Sequence, residues 1–264
     1  WMCAGGTHLH MGWTPERGYI PATWSSYNEL IALLVPALGS PTHPLPARAW
    51  RAWERPLRDG VDGPVVYCRG GDPLFVHYYA QLWIDLRDKW DGLVDYHANT
   101  AEAIALNQAF CARASAERPG YDGGRQWGLT ASDGPKGYQA YGAWPDRHDG
   151  TLAPYAVVGA LPWRPQLALA TLRRMYEAHK AAIWGPYGFW SAYNAERCWY
   201  SQEAIGIDVG TVLLGVIAAQ DALVWRATAR HPFIRRGLAA AGFGAAPPGV
   251  RLAPDLAAAG SLTF

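Results

Sequence analysis

The chain has 264 residues, half of them apolar and 17% charged, with 23 Lys and Arg against 22 Asp and Glu. So balanced a charge gives no basic field to hold a nucleic-acid backbone and no acidic excess of the kind that keeps a tail disordered. The length and apolar content can bury a sizeable core, so a globular domain is expected and nucleic acid is excluded as a partner.

The first ten residues, "WMCAGGTHLH", carry neither an initiator Met nor the basic and apolar regions of a signal peptide. A fragment or a processed product is therefore expected. Residues 1–25 form a long connection, and helical spacing then predicts helices near 27–38 and 44–54. A second connection, 55–72, contains one candidate strand, "GPVVYC" at 63–68. In "PLFVHYYAQLWIDLRDKW" (73–90), Val76, Tyr79, Leu82, Trp83 and Leu86 recur every three or four residues and predict a helix over 74–89. The next helix is predicted over 99–115, with Asn99 and Thr100 able to cap it. After a connection at 118–150 come helices near 152–160 and 165–182, the second with Pro165 in its first turn. Residues 183–208 connect to helices near 209–229 and 232–241, with Pro232 just past the end of the first of these. No internal repeat and no linker divides the chain.

Several chemistries find no motif. Cys3, Cys68, Cys111 and Cys198 form no C-x-x-C pair, and His8 and His10 lack a second pair of ligands, so no metal and no cofactor are expected. The glycines at 240–249 lack a Walker lysine, and no G-x-S-x-G is present. The strongest apolar run, "VLLGVIAA" at 212–219, is far short of the roughly 20 residues that cross a bilayer, so no membrane is expected as a partner.

The long connections are aromatic, with Trp13, Trp24, Trp127, Trp144, Trp184, Trp190 and Trp199 among them. Disordered segments lack such rings, so these loops are read as ordered and gathered at one end of a helical scaffold. The whole chain has 14 Trp and 14 Tyr against 6 Phe, which favours rings with a polar handle over plain core aromatics. A sugar presents flat C–H faces and a rim of hydroxyls, so rings beside carboxylates and amides suit a carbohydrate.

Three acids in these loops and one at a helix start are candidates for chemistry, each with a plain alternative. Asp133, in "SDGP", can simply hold a turn. Asp149, in "DGT", can cap the helix at 152. Asp208, in "GIDVGT", can cap or complement the dipole of the helix that follows. Glu29, in "WSSYNELIALL", stands at a helix start close to Trp24 and Tyr27, where a solvated first-turn acid is the alternative.

Five blocks, "GYIPATWSSYNELIALLVPALGSPTHPLP", "WGLTASDGPKGYQAYG", "DGTLAPYAVVGALPW", "WGPYGFWSAYN" and "GIDVGTVLL", resemble the bacterial glycoamylase-like family in order and content. That family includes the endo-β-1,2-glucanases of glycoside hydrolase family 144. The resemblance implies an all-α fold, an (α/α)6 toroid whose loops at one end build a glycan groove. It implies a single domain over 1–264 that lacks the N-terminal helices, and the exposed inner faces this leaves predict either a partner chain covering them or poor solubility. It also implies a periplasmic or secreted protein. Where the family's glucanases often carry an Asp and a Glu, the chain has Ser26 and Ala98, and Val209 stands where a Gln is common.

The reading that results is a glycoside hydrolase acting on a β-glucan, β-1,2-linked or related, with an oligo- or polysaccharide as its partner. Glu29 is expected to supply one carboxyl and Asp133, Asp149 or Asp208 the other. Trp24, Tyr27, His43, Asn99, Trp127, Tyr138, Tyr141, Trp144, Phe189 and Asn194 are expected to line the groove. The alternatives are a glycan-binding protein without turnover, suggested by Ser26 and Ala98, and a transglycosylase using the same groove.

Overall fold

The computed structural model describes residues 6–258; Trp1 and Cys3 lie outside them. Ten α-helices occur among the described residues: α1 (Ile31–Leu38), α2 (Arg48–Ala52), α3 (Phe75–Trp83), α4 (Tyr96–Ala114), α5 (Pro154–Gly159), α6 (Pro165–His179), α7 (Gly206–Gln220), α8 (Leu223–Arg230), α9 (Pro232–Ala241) and α10 (Pro254–Ala258). The fold is helix-rich, and the strands between the helices are two or three residues long and pair into small antiparallel sheets.

Most of the predicted helices are present, but their ends move for local reasons. The helix expected from residue 27 starts at Ile31, because Ser26 bridges to Glu54 and the Asn28 side chain accepts the Leu30 N–H. α3 stops at Trp83, six residues early, where Ile84 becomes extended. α4 begins at Tyr96 and is capped by Asp95, whose carboxylate accepts the Ala98 N–H at 2.9 Å, and not by Asn99 or Thr100. The long helix expected over 209–229 is two, since Ala222 takes a left-handed conformation (φ 53°) and α7 and α8 meet at 90°. No single described helix is long and apolar enough to cross a membrane. The candidate strand at 63–68 is Pro64–Val66, paired with Leu57–Asp59.

Two apolar clusters hold these elements. One gathers Tyr78, Leu82, Ile104, Trp127, Val157 and Tyr193; the other gathers Tyr27, Leu34, Trp50, Trp53, Ile84 and Tyr96. α3 contributes to both, and so does the short strand, whose neighbours Val65 and Val66 point to opposite sides and enter different clusters. α1 and α9 approach closely because Gly39 and Gly237 face each other's helix: a Cβ on Gly237 would collide with the Val35 carbonyl, and one on Gly39 with that of Phe233. α7 packs on α5 in the same way, at Gly215 and Gly159. That contact fixes the first turn of α7, which carries Asp208. On the other side of α7, Ile207 and Leu213 are exposed, as is Leu33 on α1.

Two local sheets complete the frame of the site. Thr151–Leu152, Tyr193–Asn194 and Trp199–Tyr200 form three antiparallel strands, which hold Ser191 and Ser201 beside each other at one end. Ala131–Ser132 pairs with Gln139–Ala140 in a hairpin that brings Asp133 to the same place and exposes Tyr138.

Candidate active site

Asp208 sits in the first turn of α7 but does not cap it, and its side chain is turned inward, with only 3% of the residue exposed. Its Oδ2 accepts the Ser191 hydroxyl at 2.8 Å, while Oδ1 is buried and has no hydrogen-bond partner. Burial raises its carboxyl from 3.8 to about 7; the Asp133 charge adds to the rise, and the Ser191 hydrogen bond opposes it. A helix N-terminus favours an anion by only about 0.3–1 kcal/mol, so desolvation prevails here. The group can therefore carry a proton at neutral pH.

Asp133 lies on the other side of Ser191. Its backbone N–H donates to Ser191 Oγ at 3.3 Å, its Oδ1 accepts the Gly134 N–H at 2.9 Å and its Oδ2 accepts the Ser201 hydroxyl at 2.9 Å. Both oxygens are engaged, so Asp133 holds the turn and supplies charge beside Asp208.

Glu29 precedes α1 and is half-buried. It lines a cleft of about 250 Å³ with Trp24, Asn28, Ala32, Leu33 and Tyr79. Burial raises its carboxyl above the ordinary value, and its own backbone N–H partly offsets this. The exposed phenol of Tyr138 connects the two acids: it is raised by burial first and then by the charges of both Asp208 and Glu29. One exposed hydroxyl thus lies within electrostatic reach of a carboxyl from the start of α1 and another from the start of α7. Acid–base cleavage of a glycosidic bond uses one protonated and one ionised carboxyl, and of these two Asp208 is the one raised to about 7.

The chain matches the glycoamylase family model, described as "Putative glucoamylase", over residues 21–232. It belongs to the glycoamylase family. A curated relative, the exo-β-1,2-glucooligosaccharide sophorohydrolase (non-reducing end) of Parabacteroides distasonis, is 32% identical over 168 residues, 64% of this chain and 23% of the relative. An endo-β-1,2-glucanase from Chitinophaga pinensis, solved with sophorotriose and glucose, superimposes with a TM-score of 0.85 at 25% identity, over 91% of this chain and 60% of that one. A β-1,2-glucanase from Parabacteroides distasonis shares the fold with a TM-score of 0.82 at 24% identity, over 89% and 37% of the two chains. The chain thus spans about a quarter of the curated relative and about 60% of the first of these solved structures.

Several residues expected to line the groove are packing residues in this glycoamylase-family fold. Trp127 is fully buried in the first apolar cluster. Tyr27 is fully buried between Trp53 and Tyr96, with its hydroxyl 3.3 Å from His77 Nδ1. Asn99 is buried and clamps both backbone groups of Val66, and Asn194 is buried and caps a short 3-10 turn by accepting the Arg197 N–H. Tyr141 is 6% exposed and packs against Gly134. Trp127, Tyr27, Tyr141 and Asn194 belong to family-like blocks, and here each packs or ties down the loop that carries it.

The remaining expected residues are spread out. Trp144 is half-buried between Tyr67 and the Arg58 guanidinium, and Phe189 packs against the Trp184 ring in the hairpin Trp184–Gly185/Gly188–Phe189. His43 is exposed and its backbone N–H donates to Ser40. Asp149 accepts the Thr151 N–H at 3.1 Å, a turn role, and its carbonyl accepts from Asn194. Of the four candidate acids, Glu29 and Asp208 are the two whose carboxyls burial raises, and Asp133 is linked to Asp208 through Ser191.

Sequence reasoning missed three features. Ser191 and Ser201 carry no motif that marks them as partners of acids. A buried chain, Tyr27–His77–Asp72–Arg58, joins His77 Nε2 to Asp72 at 2.9 Å and Arg58 to Asp72 at 3.3 Å, and its members are scattered over 50 residues of sequence. A larger cleft, about 520 Å³, opens between the C-terminal part of α4 (Phe110, Arg113), Glu117 just beyond it, and Asp59, Pro145 and His148. None of the four candidate acids lines it. Among the described residues no three His, Cys, Asp or Glu side chains could hold a metal ion.

Proposed function

We propose that the chain is a glycoside hydrolase that cleaves a β-glucan, β-1,2-linked or a related oligosaccharide, on a fold of the (α/α)6 toroid type. The observation that carries this reading is Asp208: a buried carboxyl, one oxygen without a partner, holding its proton up to about pH 7. The β-1,2-glucan-cleaving relatives support the choice of substrate.

In this reading Asp208 gives its proton to the glycosidic oxygen as the bond from that oxygen to the anomeric carbon breaks. Glu29, ionised, takes a proton from the water that adds to the anomeric carbon, or attacks that carbon itself. The separation of the two carboxyls with substrate bound decides between them: roughly 6.5–9.5 Å leaves space for water, and about 5–5.5 Å suits a nucleophile. Trp24 and Tyr138 offer ring faces to the sugars beside the two acids.

The pH dependence has a definite sign. A proton donor must be protonated, so turnover falls as pH rises through about 7, the carboxyl of Asp208. Turnover falls again on the acid side, at a pH above the ordinary Glu range, because Glu29 must be ionised and its proton affinity is raised. Product analysis on β-1,2-glucan across this range is the test. Shorter chains with that profile are expected, redistributed lengths mean transfer, and binding with unchanged chains means a glycan-binding protein; either of the last two overturns hydrolysis.

A further inference from the structure

We propose that Ser191 is a positioning residue that confines the proton of Asp208 to Oδ1, the oxygen without a hydrogen-bond partner. The inference deepens the hydrolase reading and rests on it for the role of that proton.

The geometry runs through one hydroxyl. Ser191 is 1% exposed, and its backbone N–H is fixed to the Glu203 carbonyl at 3.0 Å. Its Oγ accepts the Asp133 N–H at 3.3 Å and donates its own hydrogen to Asp208 Oδ2 at 2.8 Å. A serine hydroxyl has one hydrogen to give. With an N–H already directed at Oγ, that hydrogen is held toward Oδ2. A proton on Oδ2 would then place two hydrogens between two oxygens, whereas a proton on Oδ1 meets no such conflict. Oδ1 is the oxygen with no protein partner.

The other groups that act on Asp208 do not replace this constraint. Asp133 and Tyr138 face it from the hairpin of 131–140, Tyr78 from α3 and Tyr155 from α5. Asp133 contributes charge with both its oxygens engaged, and the Tyr155 hydroxyl donates to the Ala131 carbonyl. Tyr78 and Tyr155 are both raised by burial and then by neighbouring charge, Asp208 included, so neither phenol ionises near neutral pH. Ser191 is the residue with a hydrogen bond to this carboxylate among the described residues.

The test is a titration of Asp208 itself, by carbon NMR of Asp-labelled protein assigned with Asp208→Asn, in wild type, Ser191→Ala and Ser191→Thr. Removing a hydrogen bond to the charged form is expected to raise the Asp208 midpoint by about one pH unit or more, a tenfold change in proton affinity. The neutral-pH limb of glucan turnover should move in the same direction by the same amount. Ser191→Thr keeps the hydroxyl and should restore both. Unmoved midpoints in Ser191→Ala, or a folded Ser191→Thr that behaves like Ser191→Ala, overturn the proposal. Should Ser191→Ala not fold, isotope-edited infrared of wild type decides: the protonated Asp208 carbonyl should absorb as one that accepts a hydrogen bond, and a free carbonyl overturns the assignment. If wild type turns over no β-glucan, the hydrolase reading falls, while the midpoints still decide what Ser191 does.

Discussion

Asp208→Asn should remove a pH-dependent cost of folding along with the chemistry. The folded carboxyl at about 7 lies above its ordinary 3.8, so the folded chain binds this proton more tightly than the unfolded chain. Stability from the group is therefore complete below the unfolded value and is lost as pH rises through the folded one. At about 1.36 kcal/mol per pH unit, the rise from 3.8 to about 7 amounts to about 4 kcal/mol, of which about 2 kcal/mol falls between about pH 5 and pH 7. Asn keeps the oxygen that accepts the Ser191 hydroxyl and leaves an amide group in place of Oδ1, at a cost that does not depend on pH. Urea unfolding followed by Trp fluorescence, run on both proteins at about pH 5 and about pH 8.5, measures the difference. Wild type should lose about 2–3 kcal/mol relative to the variant across that interval. Glu29, His97, His148 and His179 are also shifted, but they titrate in both proteins and cancel. An equal pH dependence in the two proteins would refute the claim that burial holds this carboxyl protonated.

Glu29→Gln should leave folding and glycan binding nearly intact and lower turnover on the order of a hundredfold or more, as measured by reducing-end release; unchanged turnover in a well-folded variant would remove Glu29 from the chemistry. Trp127→Ala should cost about 3–5 kcal/mol in thermal or urea unfolding, because the ring is wholly enclosed in the first apolar cluster. A loss of glycan affinity with stability unchanged would instead return Trp127 to the groove.

The sequence by itself determined the helices with strong three- and four-residue periodicity, because a repeating apolar face is a local property that survives any arrangement of its neighbours. α6 starts where Pro165 in the first turn announces it, Pro232, read as a stop signal, also opens α9, and the aromatic blocks carried the family. Tertiary structure decided the rest. The same Trp or Tyr serves a core or a groove according to what packs on it, and only the fold encloses Trp127, Tyr27 and Tyr141 while leaving Tyr138 exposed. The break at Ala222 is a left-handed residue inside a continuous apolar pattern, which periodicity does not register. Asp208 has the sequence context of a helix-capping acid, and only the tertiary structure buries its carboxyl against Ser191, which is 17 residues away in the chain. Proton affinity depends on burial and on neighbours brought from distant segments, and no local pattern encodes either.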